Sequence, residues 1–229
     1  MVSTGPTRVD GARSLISSAY ARGVGIEVGA GDRPFPIPDE AKCLRGDIRN
    51  SQELKMYFLN ENVVGGDNFI DAQSFSGVVD NSIDFCISAH VLEHLHDPFG
   101  SIKSAMCKLV PGGVLILIIP NKDYTFDRNR PLVSFEHLLQ DMTDGGARTL
   151  REAYFEHCKY VHPVLTGSEM PDIEAAIDDG IRNKRDIHVH AWSHEHFFEQ
   201  MEQLGNILDF KVIFSSRIEN EANFVLKKV

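Results

Sequence analysis

The sequence predicts an α/β fold built on a mostly parallel sheet, and three observations carry that expectation. The first is Gly25-Ile26-Glu27-Val28-Gly29-Ala30-Gly31-Asp32-Arg33, where a strand runs straight into a glycine turn. Val24, Ile26 and Val28 supply β-branched bulk, while Gly29 and Gly31 permit tight dihedrals and close approach of the backbone to a ligand. The second is the succession of strand-sized apolar runs separated by helical stretches. The third is Asp47, eighteen residues beyond Gly29. At the end of a second strand its carboxylate can accept both hydroxyls of a ribose; a plain turn aspartate is the alternative. A dinucleotide fingerprint would place its last glycine where Pro34 stands, so that reading fits poorly.

The 229 residues suffice for one sizeable domain, 1–229, or a domain with an insertion. Hydrophobic content of 42% is ordinary for a globular protein. The longest apolar run, Val114 to Ile119, is strand-sized, so no membrane span is expected. Met1 to Gly5 carries no apolar signal region. Cys43, Cys86, Cys107 and Cys158 form no C-x-x-C pair and read as reduced thiols of a cytoplasmic protein. A net charge of −10 without a long basic run counts against a nucleic-acid footprint and favours a small-molecule substrate.

Residues 1–10 read as loose, and Gly11 to Arg22 as a helix with Leu15, Ile16 and Ala19 on one side, covering the first strand's edge or a ligand mouth. The first strand is expected at about 24–28. Pro34, Pro36 and Pro38 then alternate with Phe35 and Ile37. Each proline lacks a backbone donor, so an extended loop is expected where α/β nucleotide folds usually start their first crossover helix. Ser51 to Leu59 reads as a helix, 68–72 as a third strand, 80–82 as a turn and 83–88 as a fourth strand. Phe99 to Leu109 reads as a helix stopped by Pro111-Gly112-Gly113, with a fifth strand over 114–119.

The order of glycine turn, acidic strand end, Asp71-Ala72, Ser88-x-His90-Val91-Leu92-Glu93-His94, Leu109-Val110-Pro111-Gly112-Gly113 and Pro120-Asn121 resembles class I S-adenosylmethionine (SAM) methyltransferases of the type-11-like group. Glu27-x-Gly29-x-Gly31 resembles their first motif. The alternating prolines, Tyr124-x-Phe126-Asp127-x-x-Arg130-Pro131 and Glu136-His137-Leu138 look like a bacterial subgroup. The resemblance implies a Rossmann-like, seven-stranded sheet with five parallel core strands and an antiparallel last strand. It implies SAM as cofactor, held by Glu27, Gly29, Ala30, Gly31, Asp47, Asp71, Ala72 and His90. In that pattern Asp71 accepts from the adenine amino group and the Ala72 N–H donates to the ring. The expected reaction is methyl transfer to an O or N atom of a small molecule, with a sugar-containing metabolite considered. A homodimer is the one assembly considered.

Residues 122–190 are longer than an ordinary connection and read as a helical cap over the strand ends. Helices are expected at 132–142, 148–160 and 172–181, and 183–186 as an exposed turn. Ser193 has the chemistry of an N-cap for a helix over 194–204. Two closing strands, 208–214 and 224–228, flank Glu219-Asn220-Glu221.

Methyl transfer to a hydroxyl needs a base near the strand ends or in the cap. His90, His94, Asp127, His137 and His190 are the candidates, each with a structural role as the alternative. His90 to His94 also spells H-x-x-E-H, a zinc-peptidase pattern that would place both histidines on one helix face. Its setting after an α/β strand argues against a metal-dependent hydrolase, and no metal ligand is assigned. His188, His190, His194 and His196 read as a polar pocket wall. Trp192 reads as core before ligand wall, and Arg130 as the local partner of Asp127. A catalytically inactive relative acting as a scaffold is the other function considered.

Overall fold

The computed structural model describes residues 7–229. Residues 1–6, part of the stretch expected to be loose, lie outside the described residues. The rest of that stretch is ordered earlier than expected, because Thr7 and Asp10 form a capping box that starts α1 (Arg8–Tyr20). Its buried side is Val9, Arg13, Ile16 and Ser17, so Leu15 points outward, 74% exposed.

Six strands form one sheet: β1 (Val24–Val28), β2 (Lys42–Gly46), β3 (Ile83–Ala89), β4 (Leu109–Pro120), β5 (Phe210–Ile218) and β6 (Glu221–Lys228), in the order β2-β1-β3-β4-β6-β5. β2, β1, β3 and β4 run parallel; β6 is antiparallel to both β4 and β5. This is the expected Rossmann-like topology with one strand fewer. The predicted strand at 68–72 shrinks to a single parallel bridge between Asp47 and Phe69. Ile70 alone is buried there and Phe69 is 68% exposed, so no alternating face exists to hold a longer ladder. Pro111-Gly112-Gly113 does not end a helix and turn as expected. It sits within β4 as an irregularity: Ile83 pairs with Leu109, but Phe85 already pairs with Val114.

Both faces of the sheet are covered, as parallel strands require. Cys86, Leu115, Leu117 and Ile119 face a core completed by α3 (Pro98–Lys108) and α8 (His194–Leu208). Phe85, Ile87, Ile116 and Ile118 face the other way, against Ile16 of α1 and Phe35. The proline loop thus replaces the first crossover helix, as predicted, and Phe35 supplies the burial such a helix would provide. The β1–β2 connection leads through β2 to α2 (Ser51–Phe58), capped by Asn50.

Between β4 and α8 lie α4 (Phe135–Asp144), α5 (Leu150–Glu156), α6 (His162–Thr166) and α7 (Ile173–Arg182). A π-helical turn, His157–Val161, joins α5 to α6, so the predicted second helix runs past its expected end. This segment has its own small core around Tyr154, Cys158, Ile177 and Val189. Ser193 caps α8 as predicted, accepting from the His196 N–H. The closing hairpin turns on Glu219-Asn220; Glu221 belongs to β6. No helix among the described residues is long and apolar enough to cross a membrane.

Trp192 is core. It is fully buried, stacked on His190 at 5.6 Å and edge-on to Phe197 at 5.3 Å. Trp192→Ala is expected to cost about 3–5 kcal/mol of stability, measured by urea unfolding followed by circular dichroism.

Candidate active site

The carboxyl ends of β1, β2 and β3 open into a cavity of about 850 Å³. That is the range of small-molecule sites, and the position is where open α/β sheets bind ligands. Gly29, Asp47, Asp71, Ala72, His90 and His94 line its sheet side. Leu150, Tyr154, Ile181, Ile187 and Val189 line the opposite side, from the segment between β4 and α8. A second cavity of about 440 Å³ lies on the α1 side and shares Gly29, Phe58 and His90 with the first; Ala30 lines it.

The glycine turn is shaped by its neighbours. Gly29 and Gly31 have φ of +67° and +54°, and a Cβ on them would meet Val91 and the Phe58 ring. Gly31 also bridges Val64 and lines neither cavity. Glu27 does not reach the cavities either. Its carboxylate accepts from the Phe35 N–H at 2.7 Å and Arg45 Nε at 2.9 Å, while Arg45 also donates to the Phe35 carbonyl. Burial raises the Glu27 carboxyl above its usual value, and those hydrogen bonds oppose the rise. Glu27 here anchors the proline loop.

Asp47 is 8% exposed and lines the main cavity. Its Oδ1 accepts from the Arg49 N–H at 2.8 Å. Asp71 lies nearby, accepting from the Gln73 N–H and Ser74 Oγ, and the Ala72 carbonyl accepts from Ser101. These turns present two carboxylates on the cavity wall, the chemistry that ribose hydroxyls and an adenine amino group require.

His90 follows β3 with φ of +55°, a left-handed conformation uncommon for a side-chain-bearing residue. Its Nε2 lies 2.8 Å from Glu221 Oε1 and its Nδ1 3.5 Å from Glu93 Oε1. Burial lowers its pKa, but the Glu221 hydrogen bond and the nearby Glu93 and Glu221 carboxylate charges outweigh this and lift it to about 9. Glu221 in turn takes Arg13 of α1 at 2.5 Å. H-x-x-E-H does not form a two-histidine helix face. Leu92–His94 is a single 3-10 turn, and the left-handed His90 sends its ring to Glu221 while His94 turns to Asp186. That correction removes the geometric basis for the zinc-peptidase pattern.

His94 Nδ1 bonds Asp186 Oδ1 at 2.7 Å. Asp186 also accepts from Tyr57 Oη at 2.7 Å and Arg49 at 3.2 Å. The predicted exposed turn therefore ends in a strap across the cavity mouth. Nothing in the sequence separates Asp186, Arg49 or Tyr57 from ordinary surface residues; only the fold brings them together.

Asp127, His137 and His190 line neither cavity. Asp127 is buried between His188 and Arg130, at 2.6 and 3.4 Å, which confirms the local Arg130 pairing. His190 is buried, with Nδ1 toward the Leu95 carbonyl and Nε2 2.9 Å from Asp141. Asp141 also accepts from Thr149 at 2.5 Å and faces His137 at 3.3 Å. His188 and His190 thus each contact a carboxylate and line neither cavity.

A family model described as a methyltransferase domain matches residues 55–117, from within α2 to within β4. No curated protein matches the chain. A Rhodobacter sphaeroides structure, provisionally assigned as a zinc-dependent alcohol dehydrogenase, aligns over 100% of this chain and 92% of that one at 10% identity and a TM-score of 0.56. A SAM-dependent methyltransferase from Thermotoga maritima, described as a possible histamine N-methyltransferase, aligns over 95% and 87% at 16% identity and a TM-score of 0.51. The CurJ carbon methyltransferase aligns over 91% of this chain at 16% identity and a TM-score of 0.47, and this chain spans 49% of it. At these identities the structures speak for the fold alone.

Burial raises the pKa of Asp141, but its hydrogen bonds to His137, His190 and Thr149 outweigh this and hold the carboxyl well below the usual range. A depressed carboxylate stabilises the fold above its unfolded pKa and loses that contribution as pH falls. Asp141→Ala is expected to cost about 3 kcal/mol at neutral pH. The gap should begin to narrow only as pH falls below about 4, the unfolded carboxyl range, and close as pH drops further through the depressed folded-state value, read from urea unfolding at a series of pH values. Residues 55–117 thus match a methyltransferase-domain model, and the chain as a whole has the fold seen in SAM-dependent methyltransferase structures.

Proposed function

We propose that this chain transfers a methyl group from SAM to an O or N atom of a small molecule, with a sugar-containing metabolite the first acceptor class to screen. The observation that carries this reading is the main cavity, whose two sides differ in chemistry. Its sheet side has Gly29, Asp47, Asp71 and Ala72, the pattern that suits a nucleoside. Its opposite side has Tyr154, Lys184 and Arg185 among apolar Leu150, Ile181 and Ile187. Polar and aromatic groups set in an apolar wall are what a polyhydroxylated acceptor requires. Residues 122–190 then act as the cap that selects the acceptor, within one methyltransferase unit.

Bound SAM supplies the methyl electrophile, and the protein contributes orientation and proton handling. Asp47 would hold the ribose hydroxyls, Asp71 and Ala72 the adenine edge, and the Gly29 turn would let the backbone approach. His94 is the cavity-lining candidate closest to the cap strap. With Arg49 and Tyr57 it is joined through Asp186, so acceptor entry requires the strap to give way.

Isothermal titration with S-adenosylhomocysteine tests the reading. Binding to wild type is expected, and Asp47→Ala should weaken it by about 1–3 kcal/mol, the scale of buried hydrogen bonds. Equal affinity in the variant, or no binding to wild type, would overturn the assignment.

A further inference from the structure

Three side chains that the methyl-transfer reading does not use as a set converge beside the main cavity. Glu93, His94 and His188 each offer one ligand atom, and these atoms lie within 4.8 Å of one another. Glu93 is 1% exposed, and both its carboxylate oxygens are buried without a hydrogen-bond partner. His90 Nδ1 at 3.5 Å and His94 Nε2 at 4.0 Å are the nearest imidazole nitrogens, too far to bond. A buried carboxylate without a hydrogen bond is among the costliest groups to retain, so it calls for a partner.

The two histidines are set up in the same way. His188 Nδ1 is 2.6 Å from Asp127, and His94 Nδ1 is 2.7 Å from Asp186. Each Nδ1–H donates to a carboxylate, which leaves Nε2 of each ring as the lone-pair atom. A carboxylate behind imidazole is the arrangement that fixes the tautomer and raises the basicity of a metal-bound histidine. Arg130 fixes the backbone behind His188, donating to its carbonyl at 2.7 Å.

We propose that Glu93, His94 and His188 form a binding site for one divalent transition-metal ion, of which zinc is the reference. Two imidazoles and one carboxylate suit zinc and its first-row neighbours, and leave coordination positions open. The set has too much nitrogen for calcium or magnesium, which prefer oxygen. Because His94 lines the main cavity, the ion stands at its wall. His188 and His94 come from opposite sides of the cleft, so the ion would tie the cap to the sheet. This site does not depend on the methyl-transfer reading.

The neighbouring His137, Asp141 and His190 group has similar composition and spacing but a different balance. Asp141 accepts from Thr149 and His190, so no orphaned carboxylate awaits an ion there. It serves as the internal control.

The test is titration of untagged, chelator-stripped full-length chain with Zn²⁺ by calorimetry, and with Co²⁺ by visible absorption. One equivalent of Zn²⁺ per chain is expected, with Co²⁺ bands that Zn²⁺ abolishes. Glu93→Gln and His188→Ala should each weaken Zn²⁺ at least 100-fold, Asp127→Asn by 10- to 100-fold, and His137→Ala should leave it unchanged. Absence of saturable Zn²⁺ binding in wild type would overturn the site, as would wild-type affinity in both ligand variants or loss of binding in His137→Ala. S-adenosylhomocysteine is titrated into the same samples. A chain that binds it but not Zn²⁺ overturns the metal site alone. A chain that binds Zn²⁺ but not S-adenosylhomocysteine overturns the cofactor reading and supports the metal site.

Discussion

The buried guanidinium of Arg130 is the interaction on which the site's architecture depends. It is 4% exposed and all five of its N–H groups are placed. Nε and Nη2 grip Glu156 at 3.0 and 2.9 Å, Nη2 also reaches the Val189 carbonyl, and Nη1 reaches the His188 carbonyl and Asp127. One planar group thus fastens the loop after β4, the end of α5 and the strap that returns to α8. A lysine could carry the charge but not the fork. With Arg130 fixed, His188 is held over Asp127 and Val189 is held in the cavity wall.

The opposite side of the cleft rests on a second ion pair, buried Glu27 with half-buried Arg45, 2.9 Å apart. Here the carboxylate also takes the Phe35 N–H, a donor that a helix would have satisfied internally. The proline loop cannot satisfy its own backbone, so β1 and β2 do it. The motif residue that the methyltransferase resemblance assigns to the cofactor is therefore committed to the scaffold, and the sheet side of the cavity is lined by Gly29, Asp47 and Asp71 instead.

Local chemistry made much of this legible. The proline alternation ruled out a crossover helix, Ser193 marked the start of α8, a strand-sized apolar run marked β4, and apolar alternation marked β5 and β6. What stayed hidden was non-local. The strand at 68–72 reads correctly by composition, yet its single buried side chain cannot sustain a ladder. His90 looked like a base because it follows β3 directly. Its Nε2 is engaged by Glu221, 131 residues away in sequence, and no window of sequence shows that distance closing. Asp186 lies in the exposed turn the sequence predicts, but its three partners come from α2, the β2–α2 loop and the turn after β3, which no local pattern shows. The histidines were easy to find and hard to assign, since their roles depend on which carboxylate the fold brings to which nitrogen.

That dependence separates two groups of nearly identical composition. Asp141 is flanked by two histidines and a threonine hydroxyl, and its hydrogen-bond capacity is filled from within the protein. It behaves as structure: buried, away from both cavities, stacked under Trp192 through His190. Glu93 is flanked by three histidines and receives a hydrogen bond from none of them. Two of those rings, His94 and His188, are turned away by carboxylates of their own, and the third, His90, is drawn off by Glu221. Each neighbour that might have satisfied Glu93 is held elsewhere by a shorter contact. A fold that spends Asp127, Asp186 and Glu221 on keeping three imidazoles off one buried carboxylate has left that carboxylate available to a cation, and the same restraint keeps two Nε2 atoms available to share it.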